Sequence, residues 1–237
     1  MFPYDPVLLA AVATTPSDID GVIRAMEAID AACQDTDGLK WFNGLYLEVT
    51  QAVGARVAAG GFQDPAWLAA LDVQFAALYF GALKAALSGA GSAPGCWRAL
   101  FDRRGDTAIA RIQFALAGVN AHINHDLPQA IVATGTAPVH GGVEYNDYTA
   151  LNSTLDSLVE RAKTELDVRL PGDALPPVTH LEDTIAAFSV SAAREAAWNN
   201  AEVLWNLREV PALAARTLGA IDGMTAVIGK ALLVPAP

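Results

Sequence analysis

The amino-acid sequence predicts an all-α protein, a compact single-domain helical bundle or array of about seven to eight helices. Of its 237 residues, 53% are hydrophobic and only 17% are charged, which is enough apolar side chain to fill a large core. Apolar residues recur at helical spacing along most of the chain. No stretch shows the sustained alternation and β-branched enrichment that are typical of strands.

We expect one domain over residues 1–237, in which residues 1–16 form a short extension ahead of the first helix. That helix begins at Ser17, which forms an acidic variant of the capping box with Asp20. After a break, a second helix runs from about Leu39 to Ala59 and ends at two consecutive glycines.

The third helix is predicted to begin at Pro65, because Asp64 is a suitable N-cap and proline is favoured at the first helical position. It extends to about Ser88 and contains Asp72 as its only acidic residue, so we expect it to lie at the centre of the protein. A short helix from about Gly95 to Arg103 follows the next loop.

The fifth helix is predicted to begin near Asp106, to continue at least to Asp126 and to bend at Pro128. A sixth helix spans about Tyr145 to Leu166. After a proline-rich loop at Pro171–Pro177, the last two helices run from about Leu181 to Leu207 and from Pro211 to about Leu233.

Charge and composition exclude some classes of partner. The formal net charge is −11 and no basic cluster stands out, so we expect no binding to nucleic acid. We also expect a cytoplasmic protein without a membrane span, because no run of about 18 apolar residues is free of polar interruption and the N-terminus lacks a basic start. Cys33 and Cys96 are expected to be buried free thiols. The apolar content is compatible with a homo-oligomer.

A cluster of polar residues, Asn120 to Asp126, interrupts an otherwise apolar helix. On a helical wheel, His122, His125 and Asp126 share one face with Gln129, while Asn120 and Asn124 lie on another side. The two preceding turns are apolar nearly all round, which is typical of a buried helix. Buried polar groups need partners, and each unpaired group costs about 1–3 kcal/mol. The cluster is therefore expected to meet other polar side chains, water or a ligand.

Three other helices offer polar side chains that could complete such a site. Arg194 stands out because it lies among alanines, and a buried guanidinium needs a carboxylate, for which Asp126, Asp147 and Glu202 are candidates. The predicted substrate-binding residues are Asn43, Tyr46, Asn120, Asn124, Asp147, Asn152, Arg194 and Trp198.

The leading hypothesis is an enzyme that acts on a small organic substrate in a pocket between helices. His122 or His125 would be the acid–base group and Asp126 would orient it, because a carboxylate beside an imidazole fixes the ring and stabilises the imidazolium. Arg194 would pair with an acid or a substrate oxyanion. Cyclisation, isomerisation, elimination and hydrolysis all remain open.

Two alternatives use the same residues. His122, His125 and Asp126 could bind a divalent metal in a hydrolase, with Glu48, Asp72 or Asp147 completing the shell. The histidine–aspartate doublet is similar to that of helical metal-dependent phosphohydrolases, but no histidine precedes His122 to supply their upstream ligand. The cluster could also hold a ligand in a non-catalytic binding protein. No cofactor is favoured by the sequence, and a divalent metal is the only one considered.

Three segments resemble an uncharacterised bacterial family, domain of unknown function 5995: Gly38–Tyr46, Phe114–Leu127 and Ala193–Trp198. The resemblance extends from about Asp18 to Pro235. It implies a helical cytoplasmic protein and supplies no activity. The residues that match the motifs of this family are Asn43, His122, Asn124, His125, Asp126, Asp147, Asn152 and Arg194.

Overall fold

The computed structural model describes residues 2–89, 91–166 and 189–235, and within these ranges the protein is all-α without a strand. The predicted fold class is thereby confirmed. In chain order the helices are α1 (Asp5–Ala11), α2 (Ile19–Ala32), α3 (Gly38–Ala58), α4 (Pro65–Ser88), α5 (Gly95–Phe101), α6 (Arg111–Ala121), α7 (Leu127–Ala133), α8 (Val143–Thr149), α9 (Asn152–Leu166), α10 (Val190–Leu207) and α11 (Pro211–Leu232).

The N-terminal extension contains a helix that the sequence analysis did not predict. Leu8 of α1 is fully buried against the core, and α1 packs against α2 and α4. Asp5 forms a buried ion pair with Arg104, at 2.6 Å, and the same guanidinium lies 3.0 Å from Asp37, the N-cap of α3. These ion pairs tie the extension to the rest of the fold.

Two predicted helices have different bounds in the structure. The fifth begins at Arg111 rather than near Asp106, because residues 102–110 form turns and the Gln113 side chain accepts the N–H of Ala110. The sixth is split into α8 and α9 at Ala150–Leu151. The predicted start of the seventh helix at Leu181 and the loop Pro171–Pro177 lie outside the described residues.

A π-helical turn, His122–Asp126, joins α6 to α7 in one continuous rod. The N–H of Leu127 bonds the carbonyl of His122, five residues back instead of four. Pro128 follows at once, and a proline cannot donate to the carbonyl four residues earlier and clashes with it in a regular α-helix. The wide turn removes that conflict, so the predicted bend at Pro128 takes the form of a π-turn.

Helices α4, α10 and α11 pack against the π-turn, Phe42 and Tyr46 of α3 contact the His122 ring, and α6 and α7 flank the turn in the chain. Among the described residues, α4 is the one helix long and apolar enough to cross a membrane by length and composition, and half of its most apolar window is buried. A core helix has the same composition. In this fold α4 packs against α1, α3 and α7.

Candidate functional site

The carboxylate of Asp126 accepts hydrogen bonds from three buried side chains. Its Oδ2 lies 2.9 Å from Nδ1 of His122 and 2.9 Å from Nε1 of Trp97, and its Oδ1 lies 2.7 Å from Nδ1 of His125. Burial opposes ionisation of this carboxyl, but the hydrogen bonds and charges of the two histidines outweigh it and lower its pKa. An ionised Asp126 can only accept, so Nδ1 is the protonated nitrogen of both rings.

The ring of His122 is enclosed by aromatic side chains. It stacks on Phe75 with ring centroids 3.4 Å apart and planes 6° from parallel, and Tyr46 meets it edge-on at 4.4 Å. Only 2% of His122 is exposed. Burial lowers its pKa, and the hydrogen bond and charge of Asp126 only partly oppose that shift. His122 is therefore a neutral imidazole near neutral pH, with its lone pair on Nε2.

The Nε2 atom of His122 is buried and has no hydrogen-bond partner in the described part of the chain. His122 lines a cavity of about 60 Å³ between α3, α4, α6, α9 and α10. Apart from His122, the walls carry two polar side chains, Tyr46 and Arg194. The others are apolar: Phe42, Leu45, Val49, Phe75, Val119, Ile123, Leu155, Val159 and Val190.

A second cavity, of about 40 Å³, shares the Tyr46, Phe75 and Arg194 walls with the first. Asp72 lies on its surface, and burial raises the pKa of this carboxyl to about 7. Oδ2 of Asp72 is buried without a hydrogen-bond partner among the described residues, and the hydroxyl groups of Tyr46 and Thr50 interact only with each other. Unpaired buried groups are costly unless something binds them, so the region around His122 and Asp72 is the candidate ligand site.

Arg194 is a buried cation without a carboxylate partner among the described residues. Its Nε donates to Oδ1 of Asn152 at 2.8 Å, its Nη2 donates to the carbonyl of Tyr148 at 2.8 Å, and the guanidinium lies 3.8 Å above the Tyr148 ring. Burial lowers its pKa. The three acids predicted as partners are engaged elsewhere: Asp126 with the histidines, Asp147 with backbone N–H groups and Glu202 with His140.

Most of the predicted asparagines are structural. Asn43 donates to the carbonyl of Met26 at 2.9 Å and accepts from Tyr79, which ties α3 to α2 and α4. Asn120 donates to the carbonyl of Thr225 on α11, and Asn124 donates to Asn120. None of the three lines either cavity. Asn152 positions Arg194 and so belongs to the site indirectly.

Asp147 and Trp198 also lie away from both cavities. The carboxylate of Asp147 accepts the N–H groups of Gln63 and Asp64 and so holds the turn between α3 and α4. Trp198 is fully buried against Trp67 and Tyr148, and its Nε1 has no partner among the described residues. Of the substrate-binding residues predicted from sequence, Tyr46 and Arg194 are the two that the structure brings to the cavities.

Trp97 and Phe75 were not predicted as neighbours of the histidines. Nothing in their local pattern distinguishes them from core residues. Asp72 could have been recognised from the sequence as a candidate site residue, because it is the only acid in an apolar helix. His140 is a surface residue whose ring nitrogens lie 2.6 Å from Glu202 and 3.0 Å from Glu195, and it therefore links its loop to α10.

The arrangement of His122, His125 and Asp126 is a hydrogen-bond network and not a cluster of free ligands. Both histidines direct Nδ1 to the Asp126 carboxylate, and the indole N–H of Trp97 donates a hydrogen bond to it as well. A metal between these three residues would have to displace those bonds. The geometry instead fits a carboxylate that orients an imidazole for proton transfer.

Comparison with known proteins identifies a family but no activity. The sequence model of the family described as "Family of unknown function (DUF5995)" matches residues 19–235. No curated protein and no solved structure matches the chain.

Proposed function

The chain belongs to the family of unknown function DUF5995, and we propose that it is an enzyme that transforms a small organic molecule by acid–base catalysis at His122. One observation carries the proposal: His122 lines a cavity, its Nε2 is buried and unpaired among the described residues, and its Nδ1 is held by Asp126. This arrangement leaves a lone pair on Nε2 that can take a proton from a bound molecule.

Asp126 supports this role in two ways. Its hydrogen bond to Nδ1 fixes the tautomer in which Nε2 is the base, and its negative charge stabilises the imidazolium that forms. Trp97 and His125 hold the carboxylate in place. The stacked ring of Phe75 fixes the plane of the imidazole. The base is therefore oriented before a substrate binds.

Arg194 indicates the chemistry of the substrate. It lines both cavities and is only 5% exposed, and no described carboxylate forms an ion pair with it, although the charge of Asp156 acts on it from a longer distance. A buried unpaired cation is costly, and an anionic ligand would remove that cost. We therefore propose a small substrate with an apolar body and either a carboxylate or an enolisable carbonyl. The carboxylate, or the enolate oxygen that forms from the carbonyl, would face Arg194.

The reaction class best supported is abstraction of a proton from a carbon next to that carbonyl, as in isomerisation or elimination. His122 on one wall would take the proton, and Arg194 on another wall would stabilise the negative charge of the developing enolate. Most of the wall is apolar, which lowers the local dielectric and strengthens both interactions. The cavity volumes of about 60 and 40 Å³ restrict the reacting part of the substrate to a few non-hydrogen atoms.

Proton exchange tests the proposal without knowledge of the product. Pyruvate, 2-oxobutanoate and 3-oxobutanoate would be incubated with the protein in D₂O, and loss of the proton signal next to the carbonyl would be followed by NMR. We expect wild type to exchange at least one of them and His122→Gln to lose the activity by about 10²-fold or more. His140→Gln, a change at the surface histidine, should retain it.

Two results would contradict the proposal. One is equal exchange by wild type and His122→Gln. The other is the absence of exchange for every compound, together with no change in the NMR signals of the His122 ring. Butanone, which lacks a carboxylate, serves as the probe for Arg194. The acceleration of its exchange over the uncatalysed rate should be smaller than that of 2-oxobutanoate in wild type.

A further inference from the structure

Three side chains of metal-ligand type meet beside the Asp126 network: Cys96 on α5, His125 in the π-turn and Asp222 on α11. One ligand atom from each lies within 4.8 Å of the other two. Cys96 and His125 are buried and Asp222 is half-buried. No other grouping of this kind occurs within residues 2–89, 91–166 and 189–235.

The orientation of His125 is that of a histidine prepared to bind a metal. Its Nδ1 donates to Oδ1 of Asp126 at 2.7 Å, and Trp97 holds the other oxygen of that carboxylate. Nε2 makes no hydrogen bond to the described part of the chain, so its lone pair is free. In metalloproteins a ligating histidine commonly donates its second ring nitrogen to a carboxylate, which fixes the tautomer and makes the ligand more basic.

Asp222 is held in place by backbone groups next to Cys96. Its Oδ1 accepts the N–H of Cys96 and its Oδ2 accepts the N–H of Gly95, both at 2.9 Å. This role anchors α11 to α5. The Cys96 thiol also forms a hydrogen bond with this carboxylate, and a metal bound between the two groups would replace that bond. A carboxylate has about four lone-pair sites, so the two backbone hydrogen bonds still leave one site on each oxygen for a metal. The anchoring role and a metal-binding role are therefore compatible.

We propose that Cys96, His125 and Asp222 bind Zn²⁺, or another transition metal ion of similar preference, through Sγ, Nε2 and a carboxylate oxygen. Thiolate, imidazole and carboxylate are the ligands that zinc prefers, and three protein ligands leave a fourth position for water or a small ligand. Tetrahedral bonds of about 2.0–2.3 Å separate neighbouring ligand atoms by about 3.3–3.8 Å, so the group has to close by at most about 1.5 Å.

Binding requires the Cys96 thiol to lose its proton to solvent as the metal–sulfur bond forms. The affinity should therefore rise with pH. The site does not include His122, and it goes beyond the proposed proton-transfer function. It would stabilise the contact between α5, the π-turn and α11.

Cobalt is a direct probe, because a thiolate bound to Co²⁺ gives a charge-transfer absorption band. The full chain, purified without a histidine tag and freed of metal with EDTA, would be titrated with Co²⁺ and then with Zn²⁺ as competitor. We expect about one equivalent of Co²⁺ to bind with a thiolate band, and Zn²⁺ to displace it. Absence of the band in folded wild type overturns the proposal.

The two buried cysteines provide a matched pair of variants. Cys96→Ala should abolish the thiolate band and weaken binding more than about tenfold, whereas Cys33→Ala should preserve both. A band retained in Cys96→Ala would overturn the assignment. His140→Ala should leave binding unchanged, because His140 belongs to a separate surface ion pair.

If Cys96→Ala does not fold, His125→Gln and Asp222→Asn give the same test. Asn at position 222 can still accept a backbone N–H but lacks the negative charge. Each should weaken Co²⁺ binding more than about tenfold relative to wild type. Unchanged affinity in both variants would overturn the proposal. The substrate proton exchange proposed for His122 can be measured on metal-free protein. The catalytic proposal and the metal-site proposal can therefore fail independently.

Discussion

The Nδ1 atom of His122 lies 2.9 Å from Oδ2 of Asp126, and both side chains are almost fully buried. The residues are four positions apart, across a turn that is wider than an α-helical one. The same carboxylate also accepts from Trp97 and His125. It is therefore the shared acceptor for three side chains, one on α5 and two in the π-turn, and its removal should affect stability as well as chemistry.

Replacement of Asp126 by Asn should lower the free energy of unfolding by about 3 kcal/mol, because an amide cannot accept all three donors and adds a donor that faces them. Urea unfolding at neutral pH measures the change. Asp106→Asn is the control, since Asp106 pairs with Arg103 near the surface and its loss should cost at most about 1 kcal/mol. Equal effects of the two substitutions would show that the network contributes no stability.

Asp72 should make the protein less stable as the pH rises. Burial raises its pKa from 3.8 to about 7 in the folded protein. Between these two values the unfolded chain releases the proton and the folded chain retains it, so stability falls as pH rises through this window. Three pKa units correspond to about 4 kcal/mol at most.

Replacement of Asp72 by Asn should therefore stabilise the protein more at about pH 7.5 than at about pH 5, by roughly 3 kcal/mol. The difference between variant and wild type at each pH removes the contributions of other titrating groups. Urea unfolding at both values measures it. An equal effect of the substitution at the two pH values would contradict the buried, protonated state.

Helical periodicity explains why the fold was predictable from the sequence. The N-cap at Asp64, the proline at position 65 and the apolar run to Ser88 correctly bounded α4. The extension was not recognised, because α1 contains only Asp5–Ala11 and owes its stability to packing of Leu8 and the ion pair with Arg104. Short helices of this kind depend on tertiary contacts that local propensity does not encode.

The candidate site was partly predictable for a similar reason. His122, His125 and Asp126 could be grouped because they lie on one segment, and the hydrogen bond between Asn120 and Asn124 matches their predicted common side. The helices that face the segment depend on long-range packing. Consequently Asn43 and Asp147 were interpreted as substrate ligands although they bind the backbone of neighbouring segments.

Two buried arginines should respond differently to replacement by Met. Arg104 pairs with Asp5 and Asp37, so Arg104→Met leaves two buried carboxylates unpaired and should cost about 3–5 kcal/mol. Arg194→Met leaves no carboxylate unpaired among the described residues and should cost less than half as much, because the lost hydrogen bonds are offset by removal of a buried charge. Chemical denaturation of both variants gives the comparison. Equal losses would indicate that Arg194 has an ionic partner within the protein.

Gly118 allows α6 to approach α3 closely behind the site. A Cβ atom built on Gly118 would lie 2.2 Å from Cγ of Phe42, a distance that no real contact shows. Phe42 is buried and its ring centroid lies 5.8 Å from that of His122. A side chain at position 118 must therefore displace an aromatic wall of the cavity. Gly81 on α4 is exposed, and a Cβ there meets nothing within 4 Å.

The alanine variants of these two glycines separate packing from helix propensity. Gly81→Ala should raise the free energy of unfolding by about 0.5–1 kcal/mol, since alanine is the better helix former. Gly118→Ala has the same intrinsic gain but should be at least about 2 kcal/mol less stable than Gly81→Ala, because the core has to absorb an extra methyl group. Thermal or urea unfolding measures the difference. NMR signals of the His122 ring should also shift in Gly118→Ala and stay unchanged in Gly81→Ala. Equal stabilities with an unshifted ring would mean that α6 can move away from α3 at no cost, and that the cavity wall is not fixed by this contact.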